Sequence, residues 1–138
     1  MADSINRYHL TKREKEVMDI LWAASAPMVA SDIARHGNKM TINTVQTILK
    51  HLLAAELIKV DKIVYSGNVL SRAFSPAITP EDFEIQRLVS DYDSKSSFST
   101  SRFVSAMLSR EKDTARALSE IAELEAMLKA KKDELLGE

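Results

Sequence analysis

The sequence predicts a mainly α-helical chain with one small β-hairpin, and three observations support this prediction. Apolar residues recur at helical spacing over most of the 138 residues. Two short extended runs flank a turn that contains Gly and Asn near the middle of the chain. The last part of the chain carries an apolar repeat that is typical of helices that pair with another helix. The length suits one compact domain with a helical appendage.

Local capping signals predict two helices at the start of the chain. Thr11 and Glu14 have the spacing of a capping box, so a first helix begins there and runs to about Ala23. A short extended piece follows. Ser31 is then expected to cap a brief second helix that ends at His36.

A third helix and a hairpin complete the first half. Thr41 is expected to cap a helix from Ile42 to about Glu56. Extended runs at 57–64 and 69–75 are joined by residues 65–68, Tyr-Ser-Gly-Asn, which suit a hairpin turn. The third helix has one apolar stripe, formed by Val45, Ile48, Leu49, Leu52 and Leu53. The order helix, short strand, helix, helix, hairpin is that of a winged helix-turn-helix.

The second half is predicted to be helical. Thr79 caps a helix that has Pro80 in its first turn, and residues 94–101 form a polar hinge before a further short helix. The last helix is expected from about Asp113 to Leu136. Its apolar residues recur every three or four positions, with one polar interruption at Lys131, and are Ala117, Ile121, Leu124, Leu128 and Leu135. We therefore divide the chain into a winged-helix DNA-binding domain, 1–76, and a helical dimerisation region, 77–138.

The net charge of −1 conceals an asymmetry between these halves. Residues 1–76 carry ten basic and seven acidic residues, whereas residues 77–138 carry nine basic and thirteen acidic residues. Six basic residues against two acidic ones lie between Ile33 and Arg72. A basic N-terminal half followed by an acidic C-terminal half is expected of a small DNA-binding protein with a separate oligomerisation region.

The third helix carries the candidate DNA-contacting residues. Its polar face holds short or amide side chains near the helix start, which is what reading a major groove requires, and a basic residue and a histidine further along. A solvated helix face is the alternative. The position before a hairpin, in the most basic segment, favours DNA. The candidates are Asn43, Thr44, Gln46, Thr47, Lys50 and His51.

The sequence contains no grouping of residues that would form a catalytic site or a metal site. The chain has no cysteine, and no two of its three histidines have a helical i, i+4 spacing. The acidic pairs Asp91 with Asp93 and Glu81 with Glu84 have no nucleophile or phosphate loop beside them. We expect no catalytic residues and no cofactor. Trp22 is interpreted as a core residue.

The terminal repeat favours a homodimer. Ile121, Leu124 and Leu128 would form the interface, although the seam packing back on its own domain is the alternative. Two recognition helices about 34 Å apart would read an inverted-repeat operator. The rival function is a protein-interaction module that uses the winged helix and the coiled helix without DNA. The start of the chain has no signal-peptide character and no stretch reaches the roughly 18 apolar residues of a membrane span, so we expect a cytoplasmic protein.

The ordered segments resemble the penicillinase-repressor family (BlaI/MecI/CopY-like repressors). The matching segments are residues 10–22, including Glu-Val-Met-Asp-Ile-Leu-Trp, residues 44–52, residues 72–76 and the Ile121, Leu124, Leu128 pattern. The resemblance implies a dimeric winged-helix repressor of inverted-repeat operators. It places Asn43, Thr44, Thr47 and His51 at DNA-contacting positions.

Four features of the chain depart from the family pattern. Asn43 and His51 stand where the family usually has a basic residue, and the wing tip lacks the family's basic residues. The Asn-Phe bond that is cleaved in the β-lactam-responsive members has Ala106-Met107 as its nearest counterpart. The cysteine motif of the copper-responsive members is missing. The operator sequence, the regulated genes and the inducing signal are therefore not readable from the sequence.

Overall fold

Six helices and one antiparallel hairpin make up the part of the chain that the computed structural model describes, residues 7–95 and 97–137. In chain order they are α1 (Lys12–Ala23), α2 (Ala30–His36), α3 (Ile42–Ala54), β1 (Ile58–Ser66), β2 (Val69–Pro76), α4 (Pro80–Lys95), α5 (Thr100–Ser109) and α6 (Thr114–Leu135). The prediction of a mainly helical winged helix-turn-helix with further C-terminal helices is confirmed. Residues 1–6, expected to lack signal-peptide character, and Ser96 of the predicted hinge lie outside the described residues.

Three helix starts follow the capping signals, and one does not. Thr11 and Glu14 form the expected capping box at α1, and the hydroxyls of Thr41 and Thr79 accept hydrogen bonds from backbone amides three residues ahead. The prediction that Ser31 caps α2 is wrong. Val29 is the N-cap residue and makes no side-chain cap. Its carbonyl accepts the first helical hydrogen bonds, from the amides of residues 32 and 33, so α2 begins before Ser31.

α3 ends two residues earlier than expected because Glu56 adopts a left-handed conformation. Its φ is 61°, and the Leu57 amide donates to the Leu52 carbonyl while the Glu56 amide donates to Leu53. These two bonds form a Schellman motif, which stops a helix and turns the chain. The turn delivers Leu57 and Ile58 into the core at the start of the hairpin.

The wing is a tighter hairpin than the sequence suggested. Tyr65 and Ser66 belong to β1, so only Gly67 and Asn68 form the turn, and Gly67 has the positive φ of 67° that such a turn needs. Tyr65 lies opposite Leu70 across the two strands. A bridge between Met28 and Phe74 adds the extended piece before α2 to the edge of β2. The hairpin is therefore attached to the helices at its base.

The chain divides into two compact units between residues 95 and 96. The first holds the core, whose buried residues come from α1, α2, α3, the strands and the start of α4 and include Val17, Met18, Leu21, Ile33, Val45, Ile48, Leu49, Leu52, Leu57, Phe74 and Phe83. Trp22 is half-buried beside this core. Its Nε1 donates to the Ile78 carbonyl at 2.9 Å, and its ring meets Phe83 edge-on at 5.5 Å. The interpretation of Trp22 as a core residue fits these contacts.

The compact first unit extends past the predicted boundary at residue 76. Phe83, in the first turn of α4, is only 2 % exposed and packs edge-on against Tyr8 and Trp22. The start of α4 is therefore part of the winged-helix core. The second unit, residues 97–137, contains α5 and α6, and none of its described residues is buried. No helix in the described ranges has the length and apolar character of a membrane span.

Candidate nucleic-acid interface

α3 presents its polar residues outward because its apolar stripe is buried. Thr41 caps the helix, its hydroxyl accepting from the Thr44 amide at 3.1 Å. The buried residues Val45, Ile48, Leu49 and Leu52 recur every three or four positions and fix one side of α3 against the core. The opposite side is open to solvent. It carries all six candidates, which are exposed: Asn43, Thr44, Gln46, Thr47, Lys50 and His51.

The six candidates occupy three lines along this exposed side. At 3.6 residues per turn, Asn43, Thr47 and Lys50 lie opposite the buried stripe. Gln46 lies on the flank that faces the wing, where it lines a groove. Thr44 and His51 lie on the flank that faces α1, and His51 Nδ1 is 3.5 Å from a Glu14 carboxylate oxygen. The structure thus brings all six onto one open surface, while their contact with DNA stays a prediction.

The two threonines of this face use their hydroxyls inside the helix. The Thr47 hydroxyl donates to the Asn43 carbonyl one turn earlier, at 3.1 Å. The Thr44 hydroxyl accepts a hydrogen bond from Thr41 at 3.0 Å. The Thr47 hydroxyl proton is therefore used within the helix, whereas the Thr44 hydroxyl keeps its proton for a further contact, and both exposed residues also carry a methyl group. Such a surface suits apolar contact with the methyl group of thymine.

The turn that leads into α3 is fastened to α1 through the backbone of Asn38. The Asn38 amide donates to Glu16 Oε2 at 2.7 Å, and its carbonyl accepts from Arg13 Nη1 at 2.6 Å. Arg13 and Glu16 are also paired with each other at 3.0 Å. Lys39, the next residue, has a positive φ of 58°. This clamp fixes the turn from which α3 starts, and sequence reasoning missed it because it joins residues 22 and 25 positions apart.

The clamp predicts a pH-dependent effect of Glu16→Gln. The Asn38 amide, with Arg13 as a further partner, holds the pKa of the Glu16 carboxyl below its ordinary value of 4.5. A lowered pKa in the folded state stabilises the protein above pH 4.5, and this contribution disappears as the pH falls through the folded-state pKa. Urea unfolding should therefore show Glu16→Gln less stable than the parent at pH 7, with the difference closing as the pH falls through the folded-state pKa of Glu16.

The control for this prediction is Glu123→Gln on α6, which removes the same charge far from the turn in sequence. We expect it to leave unfolding of the first unit unchanged. A difference between Glu16→Gln and the parent that stays constant from neutral to acidic pH would contradict a role for the carboxylate charge.

A groove of about 920 Å³ separates α3 from the wing. One wall carries Gln46 and Lys50 of α3, and the other carries Leu70 and Arg72 of β2. The other residues that line it are Val29, Ala30, Ser31, Ile42, Leu49, Leu53, Ser66, Val69, Ser71 and Phe74. Its lining contains two cations and no carboxylate. Sequence reasoning counted Arg72 among the basic residues but could not place it here, because its position depends on the strand register.

The predicted dimer seam on α6 is largely open within the single chain. Leu124 is half-buried, Ile121 is 37 % exposed and Leu128 is 63 % exposed. α6 is a continuous helix of 22 residues with Asp113 as its N-cap residue, close to the predicted bounds. The three residues recur at spacings of three and four and so lie along one side of it. Their contact with a second copy stays a prediction.

The histidines stand apart from one another. His9 Nε2 lies 3.0 Å from Asp91, His36 Nδ1 lies 2.8 Å from the Asp32 carbonyl, and His51 faces Glu14. Within residues 7–95 and 97–137 no three metal-ligating side chains form a group that could hold an ion.

The comparison with protein families agrees with these features. The family model that describes the penicillinase repressors, a family of DNA-binding transcriptional regulators, matches residues 10–130. No curated protein matches the chain. The matched residues cover α1 through most of α6, and so both compact units. The chain belongs to the penicillinase repressor family.

Proposed function

We propose that this repressor binds an inverted-repeat operator as a homodimer, with α3 of each copy in the major groove. The observation that carries the proposal is the exposed face of α3, where Asn43, Thr47 and Lys50 lie opposite a buried apolar stripe. Short polar side chains and methyl groups at the start of a helix are suited to reading base edges, and Lys50 to holding a phosphate. An occupied operator would exclude the polymerase from the promoter.

The dimer is supported by the second unit. Residues 97–137 hold two helices with exposed apolar side chains and no buried residue among those described. A 22-residue helix with an open apolar seam gains stability by pairing along that seam. We propose that Ile121, Leu124 and Leu128 pair two copies. Residues 1–76, together with the start of α4 that completes their core, then supply DNA binding, and the rest of residues 77–138 supplies dimerisation, in the cytoplasm.

Selection of bound sequences from random duplex DNA is the experiment that tests the operator. We expect an inverted repeat whose half-site centres are separated by one helical turn or a multiple of it. The affinity for the recovered duplex should fall steeply with salt, with log K decreasing by about 0.9 per log unit of salt for each phosphate neutralised. The absence of binding to any duplex would instead favour a protein-interaction module.

Thr47→Ala tests the assignment of α3. The change removes the methyl and hydroxyl groups from the centre of the exposed face and replaces threonine with a stronger helix former, so α3 stays helical. We expect discrimination between the recovered operator and a scrambled duplex to fall by about 1 kcal/mol or more. Thr47→Val, which keeps both the methyl group and the shape of the side chain, is the matched control and should retain most of the discrimination. Equal discrimination by Thr47→Ala and the parent would count against the assignment of α3 as the helix that reads the operator.

A further inference from the structure

The groove between α3 and the wing has largely apolar walls. On the wing side, Val69 and Leu70 line it and are 65 % and 60 % exposed. The α3 wall consists of residues that recur every three or four positions, so they lie along one side of the helix: Ile42, Gln46, Leu49 and Leu53. Only one of these four is polar. Apolar walls that stay open to solvent can take up the apolar part of a small ligand.

Backbone hydrogen bonds fix the walls of this groove. Met28 and Phe74 exchange two of them, at 2.9 and 2.8 Å, and so hold the segment before α2 against β2. The hydroxyl oxygens of Ser31 on α2 and Ser66 on β1, which both line the groove, lie 3.5 Å apart. All the elements that form the groove belong to the first compact unit. A site whose walls are already in place loses little conformational entropy when a ligand enters.

Two cations line the groove, one on each wall. Lys50 stands on the α3 wall and Arg72 on the wing wall. The guanidinium carbon of Arg72 lies 5.8 Å from the centre of the Phe74 ring, within the range of a cation–π contact. Within residues 7–95 and 97–137 neither cation is paired with a carboxylate. An anion that enters the groove therefore meets two positive charges that no neighbouring carboxylate neutralises.

We propose that this groove binds a small organic carboxylate with an apolar body, and that the bound carboxylate competes with the operator. The carboxylate binds at Lys50 and Arg72, with the Ser71 hydroxyl as a further donor in the lining. The apolar body covers the walls, and the groove volume of about 920 Å³ suits a molecule of this kind. The competition rests on the proposed function, since it needs Lys50 on an operator phosphate.

Calorimetric titration of the full-length protein with 4-phenylbutyrate tests the site without DNA. Two further probes separate its parts, since 4-phenylbutanol has the apolar body without the charge and acetate has the charge without the body. We expect 4-phenylbutyrate to bind, and each of the other two to bind about tenfold more weakly or not at all. Binding of the alcohol or of acetate as tight as that of the acid would overturn the proposal, and so would the absence of binding by the acid.

A paired substitution, Lys50→Gln with Arg72→Gln, locates the binding. Both side chains are exposed, so the fold should be kept, and Trp22 fluorescence in urea checks this. We expect the affinity for 4-phenylbutyrate to fall by about tenfold or more, with the weaker binding of 4-phenylbutanol unchanged. The matched control is Lys62→Gln, which removes an exposed cation from the same wing outside the groove lining. An equal loss with Lys62→Gln, or no loss with the paired variant, would contradict the assignment of the groove.

Competition is measured on the parent protein with the duplex recovered by selection. We expect saturating 4-phenylbutyrate to lower operator affinity by about tenfold or more relative to the same concentration of acetate, which contributes the same ionic strength. By linkage, the operator should weaken binding of the acid by the same factor. An acid that binds the free protein and leaves operator affinity unchanged would overturn the competition. Failure of the proposed function is distinct, because the parent would then select no duplex while still binding the acid.

Discussion

Leu124→Asp is expected to convert the protein from dimers to monomers. Leu124 lies in the middle of the α6 seam, half-buried within the single chain and between Ile121 and Leu128. In a dimer the new carboxylate would face its counterpart in an apolar seam, and burying two unpaired charges there is strongly unfavourable. Sedimentation equilibrium should give the monomer mass. Operator affinity should fall by about a hundredfold or more, because the two half-sites are then bound independently.

The matched control for this substitution is Ala126→Asp. Residue 126 is exposed on the same helix, two positions further along and so on the side away from the seam. The Ala126→Asp substitution introduces the same residue into the same helix, with the same charge and helix propensity. We expect this variant to be a dimer with operator affinity close to that of the parent. If Leu124→Asp remained dimeric, the interface would lie elsewhere. If both variants became monomeric, the added charge itself, and not its position in the apolar seam, would be the cause of dissociation.

Phe83→Ala is expected to destabilise the winged-helix unit by about 3–5 kcal/mol. The Phe83 ring is 2 % exposed and packs edge-on against Tyr8 at 5.8 Å and Trp22 at 5.5 Å. Its removal leaves a cavity between the N-terminal residues, α1 and the start of α4. The single tryptophan, Trp22, borders this cavity and reports unfolding of this unit directly by its fluorescence in urea.

Tyr65→Ala is the control for the loss of an aromatic ring. Tyr65 is 74 % exposed on the wing, so its removal should change the unfolding free energy by about 0.5 kcal/mol or less. Comparable losses for Phe83→Ala and Tyr65→Ala would contradict the packing described for α4. A large loss for Phe83→Ala would establish that the folding unit continues past the wing exit at Pro76.

Much of this fold follows from short-range signals in the sequence. The caps at Thr11, Thr41 and Thr79 could be predicted because each depends on a hydrogen bond between residues three positions apart. The start of α2 could not, because the extended piece before it is set by the Met28–Phe74 bridge, which joins distant parts of the chain. The family resemblance, based on the Glu-Val-Met-Asp-Ile-Leu-Trp segment and residues 44–52, is confirmed by the family match.

The candidate site, like the fold, could be predicted where it depends on short-range signals and not where it depends on contacts between distant residues. The apolar periodicity of α3 correctly predicted that all six polar candidates are exposed. When one side of a helix is buried, the residues on the other side face solvent. The Asn38 clamp and the position of Arg72 on the groove wall were missed, because they require a tertiary contact and a strand register. The sequence revealed a wing tip without basic residues. It did not reveal that Tyr65 and Leu70 would stand side by side.

The hydrogen bond from the Thr47 hydroxyl to the Asn43 carbonyl has a consequence for chemically marked DNA. In the proposed complex Thr47, whose hydroxyl proton is donated within the helix, would contact the methyl at carbon five of a base. Cytosine carries such a methyl after enzymatic methylation. A cytosine beneath Thr47 would therefore gain this contact when methylated, and a thymine there would lose it on replacement by deoxyuridine, so that occupancy of an operator with cytosine at this position would depend on the methylation state of the promoter.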